Sequence, residues 1–371
     1  MLALGAAAPA WPQPCRARRA DNAACATLNP MIWMGLPPSP PVSAAPVLPA
    51  LPRIDPDAPL QFVINAASGQ HELPATRRLI EDGLAAAGRS GDFHLPRRGA
   101  LALSAAQAAR TARKHHSAVV AVGGDGTLNA VAQATHAEGC AMGVLPQGTF
   151  NYFARTHGIP ADLAQALAAL LVAVPMAVQV GQVNDRLFLV NASLGLYPDL
   201  LQDREAYKAR FGRSRLVAFG AALATVLGHH RRLRLRIETD GRLREVSTTT
   251  LFVGNNRLQL EQVGLPQAPA LDDGQLAAVV LRPVGTWALL GLLARGAMGR
   301  LGEADTVDSF SCQRLLVRPR LAWAGRSVKV AYDGEIGRLR LPLDFRVADR
   351  ALVLLKAPGG PAATGLAQGA A

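Results

Sequence analysis

Gly123-Gly124-Asp125-Gly126-Thr127 closes an apolar run, Ala118-Val119-Val120-Ala121-Val122, and opens a stretch from Leu128-Asn129 to Ala134 that reads as a helix. A short β-branched run ended by glycines is the pattern of a buried parallel strand, so the glycines form a strand-to-helix turn. Such a turn aims free backbone N–H groups and the positive end of the helix dipole at one spot, which suits a phosphate. Glycine lets the phosphate approach with no Cβ in the way. Asp125 puts a carboxylate beside the phosphates, which makes sense with Mg2+ between them. Taken alone, these residues equally fit a plain tight turn. A second unit raises the specificity: strand Gly143-Val144-Leu145-Pro146, then Gln147-Gly148-Thr149-Phe150-Asn151-Tyr152-Phe153-Ala154-Arg155 leading into a helix. Adjacent strand ends in a parallel sheet bring both turns to the edge where open α/β sheets bind ligands.

Further carboxylates stand at turns. Asp333-Gly334-Glu335 interrupts an otherwise alternating strand. An aspartate is a poor base for an alcohol unless a metal or desolvation helps it, and Asp-Gly between strands also reads as a hairpin turn. Asp272 and Asp273, before the strand that begins at Leu276, fit either a metal site or a polar turn. Arg204, Lys208, Arg210, Arg213, Arg215, Arg231, Arg232, Arg234 and Arg236 face only Glu205 within residues 204–236 and flank an apolar helix, Leu216 to Leu227. That arrangement fits docking on anionic headgroups as well as a solvated helix and strand end. His115-His116 and His229-His230 read as solvated helix ends.

GGDGTLN followed by P-x-G-T-x-N resembles the diacylglycerol kinase catalytic-domain family, in particular its soluble bacterial lipid kinases. Val63-Ile64-Asn65-Ala66-Ala67-Ser68-Gly69 is similar to the family's opening strand and N-P-x-S-G turn, Leu271 to Leu276 to its D-D-G-x-L segment, and Val330 to Glu335 to its V-D-G-E segment, all in order over roughly residues 60–356. The resemblance implies that Gly123, Gly124, Asp125, Gly126, Thr127, Leu128 and Asn129 hold nucleotide phosphates. Gly148, Thr149, Asn151, Asn65 and Glu335 would be further nucleotide contacts. Asp333 would be the catalytic base, and Asp125 and Asp273 metal ligands. It implies ATP and Mg2+ as cofactors, a membrane lipid as substrate, and a cytoplasmic protein touching an anionic membrane surface. Four departures stand out: Ala66 where the family has proline, Tyr152 where N-D-F-A-R has aspartate, Gln179 where V-D-x-G has aspartate, and Pro96-Arg97-Arg98 where a threonine is often found. An amide at 179 cannot neutralise Mg2+.

The elements that must position these residues fall into zones. Residues 1–58 are rich in Ala and Pro, with Pro37-Pro38-Ser39-Pro40-Pro41 at the centre, and are expected to be a disordered leader; Met31 or Met34 is an alternative start. Residues 59–178 alternate strand and helix: strand Gln61–Asn65, helix Pro74–Ala87, strand Asp92–Leu95, helix Leu103–Lys114, then the two glycine-turn units. That order predicts a doubly wound parallel sheet, the nucleotide-binding α/β domain. Residues 179–346 predict a β-sandwich with inserted helices, built on strands Val183–Leu194, Leu233–Thr239, Arg242–Val253, Leu276–Arg282, Ser311–Val317, Ser327–Ala331 and Gly337–Leu341 and on helix Thr286–Met298. Thr239-Asp240-Gly241-Arg242 is a hairpin signal. One strand from Val347 to Leu355 is expected to return to the first domain, with a flexible tail from Pro358.

Composition sets bounds. The 371 residues carry a net charge of +12, half are hydrophobic and 5% are aromatic. Sparse aromatics disfavour base stacking on nucleic acid, so no nucleic-acid partner is expected. The basic excess suits an anionic partner, and equally fits a coding bias toward Arg and Ala. Cys15, Cys25, Cys140 and Cys312 form no C-x-x-C pair, which argues against structural zinc and for reduced thiols. No apolar stretch is long enough to cross a bilayer, and Met1 to Ala10 lacks a basic n-region. The expectation is a kinase that moves the γ-phosphate of ATP to a hydroxyl of a diacylglycerol-like lipid. A catalytically impaired nucleotide- or lipid-binding module is the alternative. A GGDGT kinase of NAD or fructose 6-phosphate would lack P-x-G-T-x-N joined to a β-rich half ending in D-G-E.

Overall fold

The strand-then-helix order of the first half builds one sheet. A computed structural model describes residues 51–65, 73–97, 99–195, 232–320 and 327–358, all within the unit Val42–Ala371. Strands β1 (Leu60–Ile64), β2 (Gly91–His94), β3 (Ala118–Gly123) and β4 (Ala141–Pro146) run parallel in the order β2-β1-β3-β4. The last described strand, β18 (Leu352–Lys356), adds parallel to β4, and β5 (Val174–Val178) closes the edge antiparallel to β18. Alternate residues of the fully buried β3 feed opposite faces. Val119 and Ala121 meet the alanine ridge of α2 (Leu101–Lys114) and Leu128 and Val131 of α3 (Asp125–Glu138). Val120 and Val122 meet Ile80 and Leu84 of α1 (Leu73–Ala86) and Leu167 and Leu170 of α5 (Leu163–Leu171). Ile80 and Leu84 lie one turn apart, so one face of α1 docks. Asp162 caps α5 by accepting from Gln165 N at 2.9 Å. A short helix, α4 (Tyr152–Thr156), follows the second glycine turn.

The second half is a sandwich. One sheet runs β10 (Arg242–Thr248), β9 (Leu233–Thr239), β14 (Arg314–Pro319), β17 (Leu343–Val347), β6 (Gly181–Val183), β7 (Arg186–Phe188). The other runs β13 (Val307–Cys312), β12 (Leu276–Leu281), β11 (Thr250–Gly254), β8 (Asn191–Gly195), β15 (Ser327–Tyr332), β16 (Glu335–Arg340). Leu235, Ile237, Val317 and Phe345 of the first face Leu194, Leu251, Val253 and Leu276 of the second in one core. Helices α6 (Arg257–Gln262) and α7 (Thr286–Ala297) are inserted. Asp240 and Gly241, both at positive φ, turn β9 into β10.

Several strands expected as single runs are divided. Arg242–Val253 breaks at Thr249 and Ser311–Val317 at Gln313, each half joining a different sheet. Val183–Leu194 becomes β6, β7 and β8, and Val347–Leu355 becomes the end of β17 and β18. A one-residue corner lets a strand change sheets while apolar residues still point inward, so hydrophobic alternation runs through the corner unbroken. The leader before Leu51, Ala66-Ala67-Ser68-Gly69, Arg98, the helix Leu216–Leu227 with its basic flanks up to Arg231, and the tail from Gly359 lie outside the described residues. Among the described residues no helix is long and apolar enough to cross a membrane.

Candidate functional site

Both glycine turns lie side by side at the carboxyl edge of the parallel sheet. Gln147 N donates to Gly123 O at 2.9 Å. A Cβ on Gly148 would stand 3.0 Å from Gly124 Cα and 2.7 Å from Asn151 Oδ1, so a side chain there would push the two turns apart and displace the Asn151 amide. Asn151, at φ 49°, closes the second turn from within: Gly148 N donates to its Oδ1 at 2.9 Å and its Nδ2 donates to Gly148 O at 2.8 Å. Gln147 Nε2 ties this turn to α1 through Thr76 Oγ1 at 3.0 Å. In the first turn Asn65 Nδ2 donates to Thr127 Oγ1 at 3.2 Å, holding the end of β1 against the start of α3. Thr127, Leu128 and Asn129 are buried, while Gly124, Asp125 and Gly126 are partly open. The accessible part is thus the first turn of α3, where amides have no intrahelical acceptor.

Two carboxylates meet behind that turn. Asp333, at φ 47°, occupies the hairpin between β15 and β16 and is only 6% exposed. Its Oδ1 accepts from Val190 N at 2.8 Å and Asn191 N at 3.1 Å. Its Oδ2 accepts from Leu189 N at 2.6 Å and from Asn129 Nδ2 at 2.7 Å. Burial pushes the Asp333 carboxyl above its ordinary value, and these four donors oppose the rise. Asn129 Nδ2 and Gln133 Nε2 also donate to Leu187 O, at 3.0 and 2.9 Å, so α3 is bonded to the sandwich beside the site. Asp125 contrasts with Asp333. Its Oδ1 is buried with no hydrogen-bond partner, and burial first, then the Asp333 charge, raises its pKa to about 6. Glu335 reaches over the turn: a Cβ on Gly126 would stand 2.6 Å from its Oε1.

A divalent cation carried on a nucleotide needs one or two carboxylates besides the phosphates, and the unpartnered Oδ1 of Asp125 fits that role. The segment at Asp273 gathers no set of carboxylates for a second cation. Asp273 is exposed, Asp272 is ion-paired with Arg257, and no group of three His, Cys, Asp or Glu forms a metal cluster among the described residues. Gln179 fills this corner instead, its Nε2 donating to Asn255 Oδ1 at 2.8 Å and to Gln275 O at 3.1 Å.

Of the residues singled out from sequence, Asn65, residues 123–129, Gly148, Asn151, Asp333 and Glu335 gather at this edge, and Thr149 is exposed beside them. Asp273 lies on the separate turn before β12. Sequence reasoning missed the Leu189-Val190-Asn191 amides, which carry no residue-type signal. It also missed Asn255 and Asn256, although a paired Asn-Asn after an apolar strand and glycine is a readable mark. Asn256 caps α6 by accepting from Gln259 N at 3.0 Å and donates to Tyr152 O at 3.2 Å. Tyr152 stacks on the half-exposed Phe150, ring centroids 5.8 Å apart, in the place of the expected aspartate.

Two domain families match the sequence: diacylglycerol kinase catalytic domain over residues 59–183, and YegS C-terminal NAD kinase beta sandwich-like domain over residues 199–356. A "Probable lipid kinase YegS-like" of Enterobacter sp. (strain 638) is 46% identical over 81 residues, 21% of this chain and 27% of the relative. The chain therefore matches about a quarter of that relative's length. A "Diacylglycerol kinase" of Staphylococcus aureus (strain JH9) is 29% identical over 249 residues, 66% of this chain and 76% of the relative. A crystal structure of a diacylglycerol kinase from Bacillus anthracis str. Sterne shares the fold, with a TM-score of 0.60 at 20% identity, covering 81% of this chain and 97% of the other.

Proposed function

The chain belongs to the diacylglycerol kinase catalytic-domain family, and from that premise we propose that it is a lipid kinase that transfers the γ-phosphate of ATP to a hydroxyl of a diacylglycerol-like lipid. The observation that carries this reading is the pair of carboxylates, Asp125 and Asp333, behind two abutting glycine turns at the sheet's carboxyl edge. The open amides of Gly124 to Gly126 take the donor phosphates, with Thr149 and Glu335 at the rim. Bound Mg2+ would be held by Asp125 and the phosphates and would neutralise their charge. In the transfer the lipid O–H loses its proton, its oxygen bonds to the γ-phosphorus, and the bond from that phosphorus to the β-γ bridging oxygen breaks, releasing ADP. Asp333 is the assigned proton acceptor. Because its oxygens already hold four N–H donors, it accepts a proton only when the Asn129 amide, the one side chain among them, lets go of Oδ2.

That saturation favours a second assignment, in which Asp125 takes the proton through its unpartnered Oδ1 in place of holding the cation with it. The lipid meets the enzyme at an anionic membrane surface, where the exposed Arg232 and Arg234 supply attraction. Radiolabelled ATP with a panel of diacylglycerols and related lipids tests the whole reading. Labelled phospholipid formed by the wild type supports it, and nucleotide binding without transfer to any lipid would mean an impaired module, the alternative that Gln179 and Tyr152 motivate. Asp125→Asn and Asp333→Asn, compared for turnover at equal nucleotide saturation, separate the two base assignments.

A further inference from the structure

Gln179 enters the sandwich just after β5 and reaches two oxygens that converge on its amide nitrogen, Asn255 Oδ1 at 2.8 Å and the Gln275 carbonyl at 3.1 Å. A backbone carbonyl only accepts, so the amide orientation is fixed: the NH2 end faces the oxygens. Converging oxygens from a side chain and a main-chain carbonyl are the donor set of a hard cation, yet the group between them is an uncharged N–H donor. The carboxylates nearby do not supply the missing charge, since Asp272 is ion-paired with Arg257, and Asp273 is exposed and belongs to no cluster of three ligating side chains among the described residues. Asn255 passes the constraint on. Its Nδ2 donates to Leu189 O at 3.2 Å and its backbone N donates to Val190 O at 2.8 Å. The N–H groups of Leu189 and Val190 in turn seat Asp333.

We propose that Gln179 is a positioning residue that replaces a structural divalent cation, so that this corner, and through Asn255 the peptides that seat Asp333, is held by hydrogen bonds without a metal. The inference concerns the corner alone and does not depend on which lipid is phosphorylated.

Thermal unfolding of the full chain without nucleotide tests it, in chelator and in rising MgCl2 or CaCl2, with metal content measured alongside. An Asp125→Asn background removes the other candidate cation ligand. The background protein should contain no bound divalent metal, and chelator should leave its midpoint unchanged. Adding Gln179→Asp should make the midpoint climb with cation by roughly 4 °C or more between chelator and saturation, because a ligand that binds only the folded state stabilises it. Gln179→Leu should lower the midpoint equally with and without cation. A stoichiometric metal retained in the background protein, or a Gln179→Asp variant indifferent to cation, overturns the proposal.

Discussion

Neutralising the two site carboxylates should change stability in opposite directions. In Asp333→Asn the new side chain keeps one oxygen for Val190 N–H and Asn191 N–H. Its NH2 then faces the Leu189 N–H and the Asn129 NH2, two donors that lose their acceptor. Asn129 cannot simply flip, because its Nδ2 also holds Leu187 O at 3.0 Å. Hydrogen bonds to a charged acceptor contribute about 1.5–3 kcal/mol each, so the gross loss is about 3–6 kcal/mol. Relief of the buried charge returns part of it, leaving a net loss of at least about 2 kcal/mol. Asp125→Asn removes a charge that burial and Asp333 both disfavour. Raising its pKa from 3.8 to about 6 corresponds to a penalty of about 3 kcal/mol at neutral pH. The folded chain keeps a proton that the unfolded chain has released between about pH 4 and 6. The Asp125 contribution to wild-type stability therefore falls as pH rises through that window and levels off above it, while His157, held at about 3 by burial, works in the opposite direction. Urea unfolding in chelator at about pH 7.5 and about pH 4 is the assay. Asp125→Asn should be more stable than wild type at the higher pH and about equal to it at the lower. A less stable Asp125→Asn at the higher pH, or an Asp333→Asn as stable as wild type, refutes the reasoning.

Gly148→Ala should weaken Mg-ATP binding in calorimetry while circular dichroism keeps its shape, since its Cβ would meet Gly124 Cα at 3.0 Å and displace the Asn151 amide; unchanged affinity would separate the second turn from the site. Asn151→Ala loses both hydrogen bonds that close that turn, about 1 kcal/mol each, and should weaken nucleotide binding more than it lowers the unfolding midpoint. Replacing Arg232 and Arg234 by Gln should weaken binding to anionic liposomes by about 1 kcal/mol per charge, and binding that ignores salt would count against the electrostatic contact. Burial raises the Cys140 and Cys312 thiols to about 11 and about 12, so peptide mapping after native alkylation should find both unmodified, and labelling of either before unfolding contradicts their burial.

What the sequence determined by itself is local. The runs 118–122 and 143–146 are short and apolar, each with a glycine turn within two residues of its end, and alternating with helical segments they read as buried parallel strands with their turns on one edge. Asp240-Gly241 specified a hairpin because few other pairs tolerate positive φ at both positions. The residue types at 123–129, 148–151 and 333–335 likewise marked chemistry before any contact was known. What only the tertiary structure decided is long-range. Thr249 and Gln313 are corners because two sheets must close over one core, and a period of two reads the same on either sheet. Three of the four donors to Asp333 are main-chain amides more than 140 residues away in sequence, and amides look alike in every residue. Whether Asp125 is an unpaired carboxylate, or Gln179 a bridge in a cation's place, depends on which oxygens the fold brings within hydrogen-bonding distance, and chain packing alone sets that distance.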